Sequence, residues 1–365
     1  MSLSPLASSD IVNYGPQTLV TSTWTNNTND LNVQVSYTSS AQASFSSPTS
    51  SGMFFIDVYN AATSSAGSEV QFSIAYGNHL GSGSPDFTND TGSLGIGASR
   101  VIYGQYRNLV FENETSKFQF GDYTPDGIYI INVNRSRYKQ KLSPGSLNLH
   151  ISGAAVEANA TQSIIHLTDD SVTRGATVTN PNYVGEHLGG YYHIVSGSNG
   201  TMQGSSANQL TINTSASCFG YFYPHAGLII LNGDAFSASF GTAGAGSTGG
   251  DFNDGNQTTY DKPHQRFFDA IVGGGTFIVD TEEQINSKYY FVRARNSEFN
   301  YTNNESFTDA DNRVLHSSMQ YNPKVFITTV GLYNNAAELV AVAKLSQPVA
   351  KDFTKEALIR VKLDY

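Results

Sequence analysis

Cysteine is almost absent from this chain of 365 residues, because Cys218 is the only one. A single thiol excludes an intrachain disulfide and a metal cluster built from several thiolates of one chain. Charged residues are scarce as well, at 14%, and there is no uncharged apolar run of about 18 residues that could span a bilayer. The first residues carry neither the basic nor the apolar region of a secretion signal. We therefore expect packing alone to hold the fold, and we expect synthesis in a cytoplasm without membrane insertion.

The charge that is present is mostly negative. There are 30 acidic residues against 20 basic residues, which gives a formal net charge of -10. General binding to nucleic-acid phosphates depends on Lys and Arg side chains that neutralise them. The balance therefore disfavours nucleic acid as a partner. We also expect no cofactor, because no reactive group of residues stands out in the sequence.

Aromatic residues and glycine are abundant, with 21 Tyr, 21 Phe and 34 Gly. Such a composition favours pleated strands and tight turns over long surface helices. The predicted fold is mainly β, with β-sandwich-like domains and a few short helices. The predicted segments are an extended N-terminal arm (residues 1–50), the first part of a β core (51–153), an inserted small β region (154–215), and the second part of the core with a C-terminal meander (216–365).

The predicted arm is dominated by Ser, Thr and Asn, and residues 31–37 are its one alternating run. Such a segment cannot bury enough apolar surface to offset its own ordering entropy. We expect it to be mobile or to lie on a neighbouring subunit, with one strand at residues 31–37.

Regular alternation and β-branched or aromatic runs predict the strands. The predicted strands are residues 54–59, 70–76, 127–133, 147–151, 163–167, 191–195, 276–279 and 289–295, and a strand pair within 219–231. Apolar residues three to four apart predict a helix over residues 98–110, with Ser99 as its cap. Asn134 is predicted to cap a second short helix that runs through Leu142, and the glycines of residues 241–255 predict a loop.

The C-terminal residues carry the clearest pattern of the sequence. Residues 324–333 and 338–345 flank Asn334-Asn335-Ala336-Ala337, which predicts a hairpin because Asn tolerates left-handed backbone angles. In the last strand, Ile359, Val361, Leu363 and Tyr365 are predicted to face the core, with the residues between them facing solvent.

A basic cluster is the first candidate site. Arg135, Arg137, Lys139 and Lys141 crowd one short stretch of an acidic chain, and they could dock another virion protein or, less favoured because four residues supply few phosphate contacts, nucleic acid. The alternative interpretation is a solvated helix face.

Three further groups of residues could carry chemistry. His187 and His193, with His166 or Glu186, could bind a metal, but their spacing on a loop does not require one. Residues 251–255 and 309–312 are rich in oxygen ligands, yet both are interpreted as turns. Asp169 and Asp170, with Asp280, Glu282 and Glu283, could supply a glycosidase pair, although the sequence specifies no such pair. We expect neither a metal nor enzymatic activity.

A separate group of tyrosines suits a surface that binds sugar or protein, although core packing explains most Tyr equally well. Its members are Tyr289, Tyr290, Tyr301 and Tyr321.

Five segments resemble one family of proteins. The C-terminal segment YNPKVFITTVGLYNNAAELVAVAKLSQPVAKDFTKEALIRVKLDY is similar to the C-termini of virion structural proteins from contractile-tailed marine phages, particularly those that infect cyanobacteria. The other four are SRVIYGQYRNLVF, IYIINVNRSRYKQKLSPGSLNLHISG, YFYPHAGLIILNGDAF and RARNSEFNYTNNESF.

The resemblance implies a structural subunit of a virion, in the tail baseplate, assembled in the host cytoplasm. Its partners would be other tail or baseplate proteins and copies of itself, and no catalytic residues come with it. The alternative is a carbohydrate-binding receptor protein or a depolymerase at the tail tip, which would bind a glycan of the host surface.

Overall fold

The structure, a computed structural model, describes residues 4–24, 36–37, 55–61, 66–81, 98–121, 124–152, 164–174, 186–202, 218–233, 263–272, 276–301 and 304–365. Contacts divide the chain into two compact units. Unit 1 comprises Met1–Thr18 and Gln284–Tyr365, and unit 2 comprises Leu19–Glu283. The boundaries predicted at residues 50, 153 and 215 do not coincide with this division.

The described elements are mostly strands. They are β1 (Ile11–Ser22), β2 (Ser36–Tyr37), β3 (Phe55–Tyr59), β4 (Val70–Asn78), β5 (Gly127–Val133), β6 (Lys141–Leu142), β7 (Asn148–Ser152), β8 (Ile164–Asp169), β9 (Tyr192–Ser198), β10 (Thr201–Met202), β11 (Gly220–Tyr223), β12 (Leu228–Asn232), β13 (Thr276–Ile278), β14 (Asp280–Ala294), β15 (Val325–Tyr333), β16 (Leu339–Lys351) and β17 (Ala357–Asp364). The α-helices are α1 (Ala98–Phe111), α2 (Ser171–Arg174) and α3 (Pro263–Val272). The prediction of a mainly β fold with few short helices is confirmed. No helix of the described residues is long and apolar enough to cross a bilayer.

The described residues of unit 2 form one sheet of 11 strands, in the order β13-β7-β8-β9-β11-β12-β5-β4-β3-β2, with β10 paired to β9. The pairs with a described register are antiparallel. Strands β8, β9 and β10 come from the segment predicted as an inserted region. They belong to this sheet. Leu167, Ile194 and Val195 contribute buried side chains to its core.

Both faces of this sheet are apolar. In β5, Tyr129 and Ile131 belong to one buried cluster, whereas Ile128 and Ile130 belong to the other. Helix α3 covers the first face, where the ring of Phe267 stacks on Tyr129 at 4.9 Å. Helix α1 packs on the second face, chiefly against β4. In the described residues, the sheet therefore carries a helix on each face instead of the second sheet that a β-sandwich would supply.

Two local predictions are corrected in unit 2. Asn134 does act as a cap, since its side chain accepts a hydrogen bond from the Ser136 amide, but the helix is a single 3-10 turn, Arg135–Arg137. Lys141 and Leu142 form the short strand β6 and pair with Glu282 and Thr281. Ser99 lies within α1 and not before it, so it is not the cap.

The segment predicted as an arm contributes to the ordered structure. Strand β1 lies next to β14, and it was missed because Gly15 and Pro16 interrupt its pattern. Trp24 is only 3% exposed. Its ring lies 5.6 Å from Phe72 and 5.2 Å from Phe277, and its Nε1 donates a hydrogen bond to the Phe277 carbonyl. Of the run predicted as a strand at residues 31–37, the last two residues form β2 and the others lie outside the described residues. The predicted loop 241–255 also lies outside them.

In unit 1, β14 lies between β1 and β17, and β15 and β16 form a two-stranded ribbon. The ribbon packs one face on the β14–β17 pair, where Val330, Ile359 and Val361 are buried. The alternation predicted for the last strand is confirmed through Leu363, which is partly buried against the same cluster, but Tyr365 is 65% exposed. The core of this unit is small, because the ribbon supplies only one apolar face to it.

A buried lysine fixes the segment after β14. Lys351, at the end of β16, is 1% exposed. Its ammonium group donates hydrogen bonds to the carbonyl of Asn296 at 3.2 Å, to the side-chain oxygen of Asn300 at 2.8 Å and to the carbonyl of Glu298. These oxygens replace the water that the ammonium group loses on burial.

The predicted hairpin is confirmed, with a different residue in the left-handed conformation. The side-chain oxygen of Asn334 accepts hydrogen bonds from the amides of Ala336 and Glu338, which is the role of Asn in an Asx turn. Ala337 has the positive φ, at 63°.

The two faces of β17 allow a matched test of the unit 1 core. Ile359 is 8% exposed and Leu358 next to it is 67% exposed. We expect Ile359→Ala to lower the free energy of unfolding by about 2–5 kcal/mol, because it leaves a cavity. Leu358→Ala should change it by no more than about 0.5 kcal/mol. Urea denaturation followed by circular dichroism measures both, and equal effects would show that the strand faces are assigned wrongly.

Candidate functional site

The outer face of the ribbon in unit 1 carries exposed apolar side chains. Phe326 is 63% exposed, Leu339 52%, Val340 65% and Val342 59%. We call these four residues the outer ribbon surface. They contrast with the inner face of the same two strands, which packs on β14 and β17.

Gly331 leaves room for two neighbouring side chains on the outer face of the ribbon. Gly331 pairs with Val342 across the ribbon. A Cβ atom at position 331 would lie 3.1 Å from the ring of Tyr333 and 3.2 Å from the side chain of Leu339. The Tyr333 and Leu339 side chains therefore lie over the glycine, beside Val342, and form a continuous apolar patch.

Strand β1 is exposed along its length, from residue 11 to residue 21. Its unit 1 part includes Ile11 at 37%, Val12 at 43% and Tyr14 at 54% exposure. Strand β1 stands at one end of the β1-β14-β17 order, and β17 stands at the other. Within the described residues, each of these strands therefore has one edge whose backbone groups have no neighbouring strand, and such edges can pair with another chain.

The predicted basic cluster lies in unit 2, where acidic side chains of the same chain accompany most of it. Arg137 forms an ion pair with Glu69 at 2.7 Å, Lys139 with Glu283 at 3.4 Å and Lys141 with Glu282 at 2.8 Å. The guanidinium group of Arg135 lies over the Tyr138 ring at 4.6 Å and donates a hydrogen bond to the Tyr138 carbonyl. Partner binding by this cluster stays a prediction, and a partner would meet charges that are already largely compensated.

An open depression of about 240 Å³ lies beside this cluster. Its polar lining includes Ser73, Asn132, Asn134 and Arg135. The Arg135 side chain is already engaged with Tyr138, so the depression offers mainly neutral hydrogen-bonding groups.

The adjacent acids Asp169 and Asp170 have different partners. The Oδ2 atom of Asp170 lies 3.3 Å from Nδ1 of His193, and Oδ1 accepts a hydrogen bond from the His193 amide. The Oδ2 atom of Asp169 instead accepts hydrogen bonds from the amides of Gly145 and Ser171. The two carboxylates are thus held by different segments.

Three of the acids considered for a glycosidase pair act on one side chain. Burial first, and then the charges of Asp169, Glu282 and Asp170, raise the pKa of Tyr192. Glu282 itself accepts a hydrogen bond from the Ser143 hydroxyl at 3.0 Å and pairs with Lys141. The sequence could not show this proximity, because Asp169 and Glu282 are far apart along the chain.

The histidines weighed as metal ligands are separated by their partners. The Nε2 atom of His187 lies 2.7 Å from the Leu109 carbonyl, His193 contacts Asp170, and the His166 ring lies 4.1 Å from the His150 ring. In the part of the chain that the structure describes, no group of three His, Cys, Asp or Glu residues could hold a metal ion.

Of the two oxygen-rich segments, one lies within the described residues and the other does not. Asp309 accepts hydrogen bonds from the amides of Asp311 and Arg313, so residues 309–312 form the predicted turn. Residues 251–255 lie outside the described residues.

Comparison with known proteins gives no relative for this chain: no family model, no curated protein and no solved structure matches it.

The enclosed carboxyl group of Asp169 leads to a test of pH dependence. Burial raises the pKa of Asp169 above its usual value of 3.8, although hydrogen bonds from Gly145 and Ser171 oppose the shift. The unfolded chain therefore loses this proton at lower pH than the folded chain, and the folded state loses stability as the pH rises from about 3.8 through the raised pKa. We expect Asp169→Asn to remove this loss, so that the melting temperature of the variant rises relative to wild type as the pH increases from 4 to 8.

The matched control for this test is Asp311→Asn. Asp311 is exposed, and its substitution should leave the pH dependence unchanged. A uniform loss of stability in Asp169→Asn across the pH range would show instead that the fold requires the carboxylate.

Proposed function

We propose that this chain is a structural subunit of a bacteriophage virion, in the tail baseplate, and that it works through protein–protein contacts of unit 1. The observation that carries the proposal is the outer ribbon surface, whose apolar side chains are 52–65% exposed. Exposed apolar side chains that cluster on one surface are typical of protein interaction sites.

The architecture of unit 1 supports assembly as the role of this surface. A two-stranded ribbon is marginally stable on its own and gains stability when its faces are covered. One face of the β15–β16 ribbon is covered within the chain. A partner on the other face would remove Phe326, Val340 and Val342 from water, at about 25 cal/mol for each Å² of apolar surface buried.

The open edges supply a second kind of contact. Strand β1 exposes residues 11 to 21 and could accept a strand of a neighbour, since edge backbone groups give affinity independent of side-chain chemistry. Copies of the same chain and other tail or baseplate proteins are the proposed partners. The virion and its baseplate enter the proposal through the five segments that resemble tail proteins of marine phages.

The outer ribbon surface can be tested with matched lysine variants. Val340 is 65% exposed in unit 1, and Val101 on α1 is 69% exposed in unit 2. We expect Val340→Lys to reduce incorporation into particles by about tenfold or more, because an interface would bury its charge without a partner. Val101→Lys should be incorporated like wild type. Quantitative mass spectrometry of particles purified from the phage that encodes each variant provides the measurement.

Two outcomes would contradict the proposal. Absence of the wild-type chain from purified particles would remove the virion assignment. Equal incorporation of both lysine variants would leave the chain in the particle but would exclude the outer ribbon surface as its contact.

A carbohydrate-binding receptor at the tail tip is the second candidate. It is favoured by the exposure of Tyr321 at 91% and Tyr301 at 57%, because exposed aromatic rings suit sugar stacking. Binding of the isolated chain to host polysaccharide, lost in Tyr321→Ala, would distinguish this candidate from a purely structural subunit.

A further inference from the structure

The open depression in unit 2 contains part of a polar row that crosses the large sheet. Asp57 of β3 pairs with Ser73 of β4, and Ser73 pairs with Asn132 of β5. Ser73 and Asn132 both line the depression. The row lies on the same sheet face as Ala75 and Ile130, which belong to the buried cluster under α1. Asn132 is exposed and Ser73 is half-buried, so the helix leaves this part of the face open to a ligand.

The backbone around the depression is held in place by several contacts. Gly227 has a left-handed φ of 65°, and a Cβ atom there would lie 2.6 Å from the ring of Tyr138. The guanidinium group of Arg135 lies over the same ring at 4.6 Å. The backbone amide of Asn134 donates a hydrogen bond to the Gln71 carbonyl at 2.9 Å. A ligand therefore meets groups that are already ordered, which lowers the free-energy cost of binding.

The lining side chains have fixed roles as hydrogen-bond donors or acceptors. A carboxylate only accepts, so the Ser73 hydroxyl donates to Oδ1 of Asp57, at 2.5 Å, and keeps its own lone pairs as acceptors. Asn134 has the opposite role. Its Oδ1 accepts from the amide and the hydroxyl of Ser136, both at 3.1 Å, which leaves its side-chain amide nitrogen to donate. Asn132 can both donate and accept.

This combination disfavours two kinds of ligand. An anion would be attracted to Arg135, but it would also meet the Ser73 oxygen and the negative charge of Asp57 behind it. An apolar ligand would displace water from the two asparagine side chains without replacing their hydrogen bonds, which is costly. A hydroxyl group both donates and accepts, so it can pair with every member of the lining.

We propose that this depression binds a single sugar ring through its adjacent hydroxyl groups. Its volume, about 240 Å³, is below the roughly 300–1,000 Å³ of pockets that enclose drug-sized molecules, and it suits one small ring. Ser73 accepts a hydrogen bond from a sugar hydroxyl, Asn134 donates to one, and Asn132 does both. Arg135 supplies further N–H donors beside its bond to the Tyr138 carbonyl. The site lies in unit 2 and does not depend on the outer ribbon surface of unit 1.

The test is a titration of the full chain, prepared with isotope-labelled asparagine, with D-glucose, D-galactose, D-mannose and N-acetyl-D-glucosamine in turn. The side-chain amide resonances of Asn132 and Asn134 in NMR spectra report binding at the site itself. We expect at least one sugar to shift both resonances saturably below about 100 mM, because a small ligand held by a few hydrogen bonds binds weakly. Asn132→Ala, followed at Asn134, should weaken this binding about tenfold, because its hydrogen bonds to the sugar are lost.

The matched control is Asn286→Ala, because Asn286 is also an exposed asparagine of a strand, in β14 of unit 1; this variant should bind like wild type. Tyr321→Ala should also keep the affinity, which distinguishes this site from the exposed tyrosines of the receptor candidate. Circular dichroism checks that each variant is folded.

The proposal is overturned if none of the four sugars shifts the two resonances saturably, or if Asn132→Ala and Asn286→Ala have equal affinities. Acetate that shifts the same resonances at lower concentration than every sugar would show that the depression is an anion site instead.

Discussion

The burial of both faces of the large sheet is the constraint on which unit 2 depends. Its central strands are apolar on successive residues, as Ile128, Tyr129, Ile130 and Ile131 show, so neither face can be left in water. Each face must be covered by an element whose own backbone N–H and C=O groups are hydrogen-bonded. A helix meets this requirement because its backbone hydrogen bonds lie within one segment. The positions of α1 and α3, and of the side chains that they carry, follow from that requirement.

Much of the local structure could be predicted from the sequence, because strand signals are local. The runs that became β4, β5 and β12 contain consecutive β-branched and aromatic residues, and the ends of the β15–β16 hairpin are marked by its turn. What covers a sheet is a different question, since it depends on residues far apart in sequence. Trp24 donates a hydrogen bond to the carbonyl of Phe277, which is 253 positions away in the sequence. No local sequence pattern predicts such a contact.

The candidate sites show the same limit. The basic residues from Arg135 to Lys141 are visible in the sequence, but Glu69, Glu282 and Glu283, which pair with three of them, are not adjacent to them. Conversely, His79 and Tyr103 are unremarkable where they stand in the sequence, and their rings lie 5.5 Å apart where α1 packs on β4. The outer ribbon surface could not be predicted for another reason: the apolar run of residues 339–343 shows apolar side chains on both faces of β16, but it does not show that one of these faces is left exposed.

The composition of unit 1 from both ends of the chain has a consequence for biosynthesis. Its β1 residues are synthesised well before β14, the described strand that pairs with them, which belongs to the last third of the chain. Unit 2 lies between these two parts, so its sheet can close while translation continues. During that interval β1 cannot pair with β14, and its backbone groups stay open to pairing with another chain.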